Sequence, residues 1–412
     1  MGWKVRAAPM LRMFQAGLVW SECADPPSGV VWPAMGRGIL RTGPVMAAIA
    51  ALMVTFMACR KDASVAPKEE GAPGPMLPDV PYVYSVPPLP DHFNSILLTF
   101  WEGTPDDNPI TDGGATLGRV LFYDRDLSVD STVRCASCHK QGAGFADPEA
   151  SSKGHAGGFT RRNASHLVNQ FFVREQFWDK RANSLEQQVL MPIQDQVEMG
   201  MTLGSLTTRL RSRAYYPALF AQAFGDDSIT SDRVARALAQ FVRSMASYRT
   251  RYDEGEADGF ADFSSLEMDG KALFFNGQTR CNHCHMTANF FNRDARNNGL
   301  DEVYTDNGLG EVTEDPADNG KFKVPSLRNV ALTAPYMHDG RFNTLEEVVE
   351  HYNSGVRQHP NLDDRLTVDG HTGGVPVQLG LSEYDKQALV AFLKTLTDFP
   401  LITDERFADP FP

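Results

Sequence analysis

The dominant feature of this 412-residue sequence is a pair of C-x-x-C-H motifs. CASCH spans Cys135–His139 and CNHCH spans Cys281–His285, so the two motifs contain four of the six cysteines. The pattern is typical of c-type haem attachment, in which two thiols form thioethers with the porphyrin and the adjacent His ligates the iron. A zinc site needs more Cys or His at short spacing, and a redox-active dithiol does not need the trailing His. The motifs therefore predict two covalent haem c groups, held by Cys135, Cys138, His139, Cys281, Cys284 and His285.

The two motifs belong to an internal repeat with unequal copies. TLGRVLFYDRDLSVDSTVRCASCH and MDGKALFFNGQTRCNHCH each contain a short helical G-x-x-LF segment that leads into C-x-x-C-H. Far downstream of each copy lies an amphipathic segment, SDRVARALAQFVRSMAS in the first half and LSEYDKQALVAFLKTLTD in the second. Their apolar faces consist of Val234, Leu238, Phe241, Val242 and Met245, and of Leu389, Phe392, Leu393 and Leu396. A helix that enters the motif and a closing helix that crosses it are how cytochrome c folds bury a haem edge.

These patterns predict a mainly α fold of two cytochrome c-like haem domains in tandem with long loops, since no stretch shows sustained strand alternation. The polar stretch 251–265 lacks an apolar period and predicts the boundary between the halves. We therefore expect an N-terminal domain at 91–255 and a C-terminal domain at 256–412. The segment 286–322, rich in Asn, Asp and Gly, predicts a loop region over the second haem.

The segment 35–58 has the features of an export signal. Arg37 and Arg41 precede an apolar run that is shorter than a membrane span, and Cys59 follows. This resembles a bacterial lipoprotein signal, in which Cys59 becomes the lipid-anchored first residue. Phe56 stands where such signals prefer Leu, so plain cleavage or an uncleaved anchor stays open. The sequence predicts a periplasmic protein, anchored to a membrane if Cys59 is lipidated.

Two further segments flank this signal. Residues 1–34 are predicted to be a non-native upstream extension, with translation beginning at Met35 and Cys23 absent from the mature protein; a genuine disordered extension is the alternative. Residues 59–90, rich in Pro, Gly and Ala, predict a flexible tether.

The formal net charge of −13 argues against nucleic acid as a partner, because no basic stripe is present. A basic redox partner is compatible with this charge, although acidity usually serves solubility.

Several separated motifs between about residues 105 and 400 resemble one family. They are LGRVLFYDRDLS, CASCHKQGAGFAD, RRNASHLVN, QFWDKRANSLEQQ, QVEMG, VPSLRNVALTAPYMHDG and the C-terminal helix. Together they resemble the bacterial di-haem cytochrome c peroxidases and their MauG-type relatives. The resemblance implies a peroxidatic haem in the N-terminal domain, an electron-transfer haem in the C-terminal domain and, in many members, a homodimer.

The resemblance assigns five residues around the first haem. His139 is its proximal ligand, and His155, sixteen residues later, stands where the peroxidases keep a removable distal ligand. Trp178 matches the tryptophan between the two haems, and Gln188 and Glu198 match the distal-pocket pair. Three of these residues have plainer alternatives: His155 as a surface loop His, Trp178 as a core aromatic and Glu198 as an exposed helix Glu. The apolar context of Glu198 disfavours the last, since an unpaired carboxylate there is costly.

For the second haem, the resemblance makes His285 the proximal ligand. The peroxidases have a sixth-ligand Met fourteen residues after the His of the PYxHxG motif; fourteen residues after His338 is Tyr352, and MauG-type proteins have a Tyr there. His351 is the alternative, but neighbouring helical residues point about 100° apart, so both cannot bind. His338 is interpreted as a hydrogen-bonding residue. A phenolate ligand favours ferric or higher oxidation states, whereas Met raises the potential.

The resemblance also implies a calcium ion between the domains. Asn163, Thr333 and Pro335 stand at the matching positions, the latter two binding through a backbone carbonyl or a hydroxyl.

Three functions are compatible with these residues. In a peroxidase, Glu198 and Gln188 move a proton between the oxygens of hydrogen peroxide, and electrons arrive through Trp178 from a periplasmic cytochrome c or cupredoxin. In a MauG-type oxidase, a side chain of a partner protein is oxidatively modified; Tyr352 supports this reading, whereas His155 supports the first. A di-haem electron carrier leaves Glu198 without a role. We expect the peroxidase, with the oxidase as the alternative.

Overall fold

The computed structural model describes residues 73–412, which form a mainly helical body. The helices are α1 Ile96–Trp101, α2 Asp112–Tyr123, α3 Cys135–Cys138, α4 Leu185–Gln194, α5 Leu203–Ser212, α6 Tyr216–Phe224, α7 Ser231–Arg243, α8 Arg251–Asp258, α9 Ser265–Phe275, α10 Cys281–Cys284, α11 Gly310–Thr313, α12 Leu345–Glu350, α13 Glu383–Lys394 and α14 Phe399–Ile402. Strands β1 Ala295–Arg296 and β2 Phe322–Lys323 pair antiparallel. The prediction of a mainly helical protein is confirmed.

Several predictions fall outside the described residues. They concern the extension 1–34, the signal 35–58, Cys23, Cys59 and the first part of the tether, and they stay predictions. Within the tether, Tyr84 is buried; its amide donates to Asp112 (2.8 Å) and its hydroxyl to the Arg406 carbonyl (3.0 Å). From residue 73 onward, no helix combines the length and apolarity that a membrane crossing requires.

The first hydrophobic core is built where α2 packs against α7. Thr111 and Thr230 cap the N-termini of these helices by accepting backbone N–H bonds. The predicted apolar face of α7 is buried, from Val234 to Met245. Gly118 lies at the crossing, where a Cβ would overlap the Ala237 carbonyl oxygen. A residue without a side chain therefore allows α2 and α7 to approach closely.

The second hydrophobic core repeats this arrangement with α9 and α13. Ser264 and Ser382 form capping boxes at the N-termini of the two helices. Gly270 occupies the crossing, and a Cβ there would overlap the Ala388 carbonyl oxygen and lie 2.9 Å from Cβ of Phe392. The glycine of each G-x-x-LF segment thus has the same packing role.

Two features were not apparent from the apolar pattern. The stretch 251–265 contains α8, which a capping box of Thr250 and Asp253 starts and Gly259, at φ 77°, ends. After α13 the chain returns to the first core, where Leu401 and Phe407 are buried. The predicted domain bounds stay predictions.

Candidate active site

Both C-x-x-C-H motifs hold their His in the same orientation. Nδ1 of His139 donates to the Phe145 carbonyl (3.0 Å), and Nδ1 of His285 donates to the Phe290 carbonyl (3.1 Å). Because a carbonyl only accepts, Nδ1 carries the proton and Nε2 the lone pair, as in an imidazole that ligates a metal. Burial lowers the pKa of both rings, that of His285 to about 4, so each ring is neutral at pH 7. Both are therefore prepared to ligate an iron through Nε2.

The four motif cysteines are free thiols on one-turn helices. Burial raises the pKa of Cys135 to about 12 and that of Cys284 to about 11, which disfavours the thiolates that zinc requires. In residues 73–412, no group of three or more His, Cys, Asp or Glu is placed to hold a metal ion. The thiols and oriented His rings fit covalently attached haem c better than zinc.

A first cavity of about 500 Å³ lies beside His139. A smaller side cavity, of about 70 Å³ and lined by Cys135 and Cys138, shares several of its walls. Four of the predicted site residues line both cavities: Cys138, His139, Gln188 and Glu198. The structure therefore brings the predicted proximal His and the distal-pocket pair to one place.

Glu198 has the electrostatics of an acid–base group. Burial, followed by the nearby negative charge of Asp195, raises its pKa to about 7, while Arg181 opposes the shift. Asp195, at the end of α4, accepts from the amides of Val197 (2.8 Å) and Glu198 (3.2 Å) and so shapes the turn that carries Glu198. A carboxyl group with a pKa near 7 both accepts and donates protons at physiological pH.

His155 does not line either of these cavities in the structure. Its amide donates to the Glu198 carbonyl (2.9 Å), and Nε2 pairs with the Gln196 carbonyl (3.1 Å). Nδ1 lies 3.7 Å from the Asp130 carboxylate. Both ring nitrogens of His155 thus face other groups of the protein, and ligation of an iron by His155 stays a prediction.

A second cavity of about 220 Å³ surrounds His285. Tyr352 lines it, and its hydroxyl accepts from Nδ2 of Asn298 (3.3 Å); burial raises the pKa of Tyr352 to about 12. His351 turns away, and its Nε2 donates to the Asn298 carbonyl (3.1 Å). Both residues belong to a π-helical turn, His351–Gly355, that continues α12. The structure brings Tyr352, and not His351, into the cavity of His285.

Sequence reasoning missed Met337, which lines the same cavity with its Sδ 3.5 Å from Nδ2 of Asn298. Its position next to His338 in PYMHDG was the available signal. His338 itself stacks on Phe322, with ring centroids 3.7 Å apart, and its carbonyl accepts from the Asn163 amide (2.8 Å). His338 thus has a packing role beside the cavity.

Trp178 lines both the first and the second cavity. Its Nε1 donates to the Asn163 carbonyl (2.9 Å), which fixes the indole between them. The structure therefore places Trp178 between the two cavities, and its role between two haems stays a prediction.

The predicted calcium residues Asn163, Thr333 and Pro335 all line the second cavity. The Asn163 side chain already donates to the Glu149 carbonyl (2.9 Å), and the backbone carbonyl of Asn163 accepts from Nε1 of Trp178. These contacts explain the position of Asn163 without an ion, and calcium stays a prediction.

Comparisons with known proteins agree with this geometry. A protein-family profile described as "Di-haem cytochrome c peroxidase" matches residues 112–258. The "Methylamine utilization protein MauG" of Methylophilus methylotrophus is 31% identical over 293 residues, covering 71% of this chain and 84% of that protein. "Cytochrome-c peroxidase IdrP1" of Denitromonas iodatirespirans is 32% identical over 334 residues, covering 73% and 86%. A solved structure, of a "MauG-like protein associated with microbial copper homeostasis", matches with a TM-score of 0.69 at 33% identity, covering 80% of this chain and 100% of that one.

Proposed function

Because this chain belongs to the family of di-haem cytochrome c peroxidases and MauG proteins, and is therefore an oxidoreductase, we propose that it reduces hydrogen peroxide to water with electrons from a small redox protein. One observation carries the proposal: Glu198, a buried carboxyl group with a pKa of about 7, shares a cavity with Gln188 and the motif residue His139. Peroxide cleavage needs such a group, because a proton must leave one oxygen and reach the other.

A haem c group held by Cys135, Cys138 and His139 would supply an iron that reacts with peroxide. The Glu198 carboxylate would accept the proton of one peroxide oxygen and deliver it to the other, so that cleavage of the O–O bond releases one water. The remaining oxygen becomes the second water once two electrons from the redox protein and two protons have arrived. The Gln188 amide, on the same cavity wall, orients the peroxide by hydrogen bonding.

Trp178 supports an electron route from the second cavity to the first, since it lines both. The His139 and His285 imidazoles make equivalent hydrogen bonds through Nδ1, and this similarity supports two haem groups in tandem cytochrome c-like domains. Periplasmic location, a lipid anchor at Cys59, calcium and a homodimer are further parts of the proposal that rest on the sequence.

Steady-state turnover of the holoprotein with hydrogen peroxide and a reduced soluble cytochrome c or cupredoxin tests the proposal. We expect saturable oxidation of at least one donor at a rate that depends on peroxide concentration. The absence of turnover with every donor, in a preparation that holds two haems per chain, would overturn it.

A second function, oxidation of a side chain on a partner protein, is favoured by Tyr352 in the cavity of His285. A phenolate ligand there stabilises higher oxidation states, and a methionine does not.

Replacing Tyr352 with Met should raise the potential of the second haem and shorten the lifetime of the protein oxidised by two electrons without a donor. His351→Gln is the control, because His351 faces Asn298 and should leave the potential unchanged. An unaltered potential in the Tyr352→Met protein would remove Tyr352 from iron ligation.

A further inference from the structure

A small third cavity, of about 10 Å³, lies beside Trp178, and we call it the middle cavity. Its walls include His166, Gln170, Trp178 and Lys323. His166 and Trp178 also line both the first and the second cavity. The middle cavity is therefore at the junction of the two haem sites, and the function proposed above does not use it.

Two buried hydrogen-bond acceptors in this wall have no partner among residues 73–412: Nδ1 of His166 and Oε1 of Gln170. His166 is 8% exposed and Gln170 is 5% exposed. Nε2 of His166 bonds the Ser326 carbonyl (3.0 Å), which only accepts, so Nε2 carries the proton and Nδ1 the lone pair. The amide nitrogen of Gln170 donates to the His166 carbonyl (3.4 Å), which leaves its oxygen as the unsatisfied atom.

Lys323 contributes a donor to the same wall. Its ammonium group makes no hydrogen bond or ion pair with any other side chain in the described part of the chain, and its charge contributes to lowering the pKa of His166, after burial. An ammonium group has three donors and no acceptor. The wall therefore combines two buried acceptors that have no partner among residues 73–412 with the donor group of the half-buried Lys323.

We propose that the middle cavity binds one structural water molecule, held by His166, Gln170 and Lys323. The water donates one O–H to Nδ1 of His166 and the other to Oε1 of Gln170, and its oxygen accepts from Nζ of Lys323. Buried waters make about three hydrogen bonds and need about 10–15 Å³. The cavity of about 10 Å³ is at the lower end of this range, and the three side chains that line it supply two acceptors and a donor. Leaving the acceptors unpaired would incur a desolvation penalty for each.

Other small ligands fit less well. An anion would face the two lone pairs of Nδ1 and Oε1, and a cation would face the ammonium group of Lys323. Water donates twice and accepts in the same place, and it is the smallest such ligand for a cavity of about 10 Å³. The bound water would join polar groups of both haem cavities and hold the His166 ring beside Trp178.

A crystal structure of the holoprotein at a resolution that shows ordered waters is the direct test. We expect one water within about 2.6–3.2 Å of Nδ1 of His166 and of Oε1 of Gln170. Side chains that pair with each other and leave no density between them would overturn the proposal. The test does not depend on turnover with peroxide, so it holds or fails separately from the proposed function.

The second test measures whether removal of the Gln170 acceptor raises or lowers the stability of the protein. Gln170→Met keeps the length of the side chain and removes its acceptor. If water satisfies that acceptor, the variant should lose the water and lower the denaturant midpoint of the holoprotein; if the cavity is dry, the variant removes an unpaired buried atom and should raise the midpoint. Gln240→Met is the matched control, because buried Gln240 already pairs with Thr111 and Asn108, and its midpoint must fall. A midpoint that rises for Gln170→Met while falling for Gln240→Met would refute the bound water.

Discussion

The half of the molecule that contains His139 and the half that contains His285 share a framework. In each, a glycine allows two helices to cross closely, and the motif His donates from Nδ1 to the carbonyl of a nearby Phe. The surroundings differ. The first cavity holds a titratable carboxyl group, Glu198, whereas the second holds Tyr352, a side chain suited to coordination. The shared framework thus positions the motif His in each half, and the segments that follow each motif supply the side chains that distinguish the two cavities.

Removing the attachment cysteines should give the largest effects and separate the two halves. The Cys135→Ser, Cys138→Ser double variant should bind one haem and lose the reaction with peroxide entirely, since the first cavity holds the acid–base group. The matched Cys281→Ser, Cys284→Ser variant should also bind one haem but keep peroxide binding and lose electron supply from the donor. Haem content from the pyridine haemochrome spectrum and stopped-flow mixing with peroxide measure both. If both variants keep the peroxide reaction, the halves do not differ as proposed.

Replacing Glu198 with Gln should slow the peroxide step by about 10²- to 10⁴-fold, because the amide cannot carry the proton. Both haems should remain bound, since the motif cysteines and His139 and His285 are unchanged. Glu302→Gln, at an exposed position in the second half, is the control and should react at the normal rate. A normal peroxide step in the Glu198 variant would show that the first half owes its reactivity to another group.

Substitution of the crossing glycines tests the shared framework. Gly118→Ala and Gly270→Ala each introduce a methyl group that overlaps a backbone carbonyl of the facing helix, so each should lower the free energy of unfolding by about 1–3 kcal/mol. Gly142→Ala, where a Cβ meets open space, is the control. Denaturant unfolding of the holoproteins measures the three changes. A penalty at only one crossing would mean that the two halves pack differently.

The sequence predicted the elements that depend on local periodicity. Helices α7 and α13 follow the apolar stripes that end near Met245 and Leu396, and the fourteen-residue spacing from His338 brought Tyr352 to the second cavity. It missed α8, whose start depends on the side-chain caps of Thr250 and Asp253 instead of an apolar face.

Contacts between segments that lie far apart in the chain could not be predicted from the sequence. His155 is fixed by Gln196 and Asp130, which no motif spacing links to it. The middle cavity arises only when the segment of His166 meets that of Ser326, 160 residues later. Such sites depend on which polar atoms have no hydrogen-bond partner once the chain has folded, and a sequence pattern does not show this.

The smallest expected effect is a pH dependence of the peroxide step. In the proposed mechanism the peroxide step needs the Glu198 carboxylate. Burial raises the pKa of this group to about 7, so the rate should rise as the pH increases through 7. With a pKa of about 7, the ionised fraction, and with it the rate, increases about tenfold between about pH 6 and pH 8. The residual rate of the Glu198→Gln protein should be flat over this range, because the amide does not titrate.

In the second half, the pKa of His285 is already near 4 and that of Tyr352 near 12, so neither group should contribute a transition between pH 6 and pH 8. Stopped-flow rates measured across this range would contradict the assignment if the wild-type rate fell with rising pH, or if the Glu198→Gln protein kept the same transition.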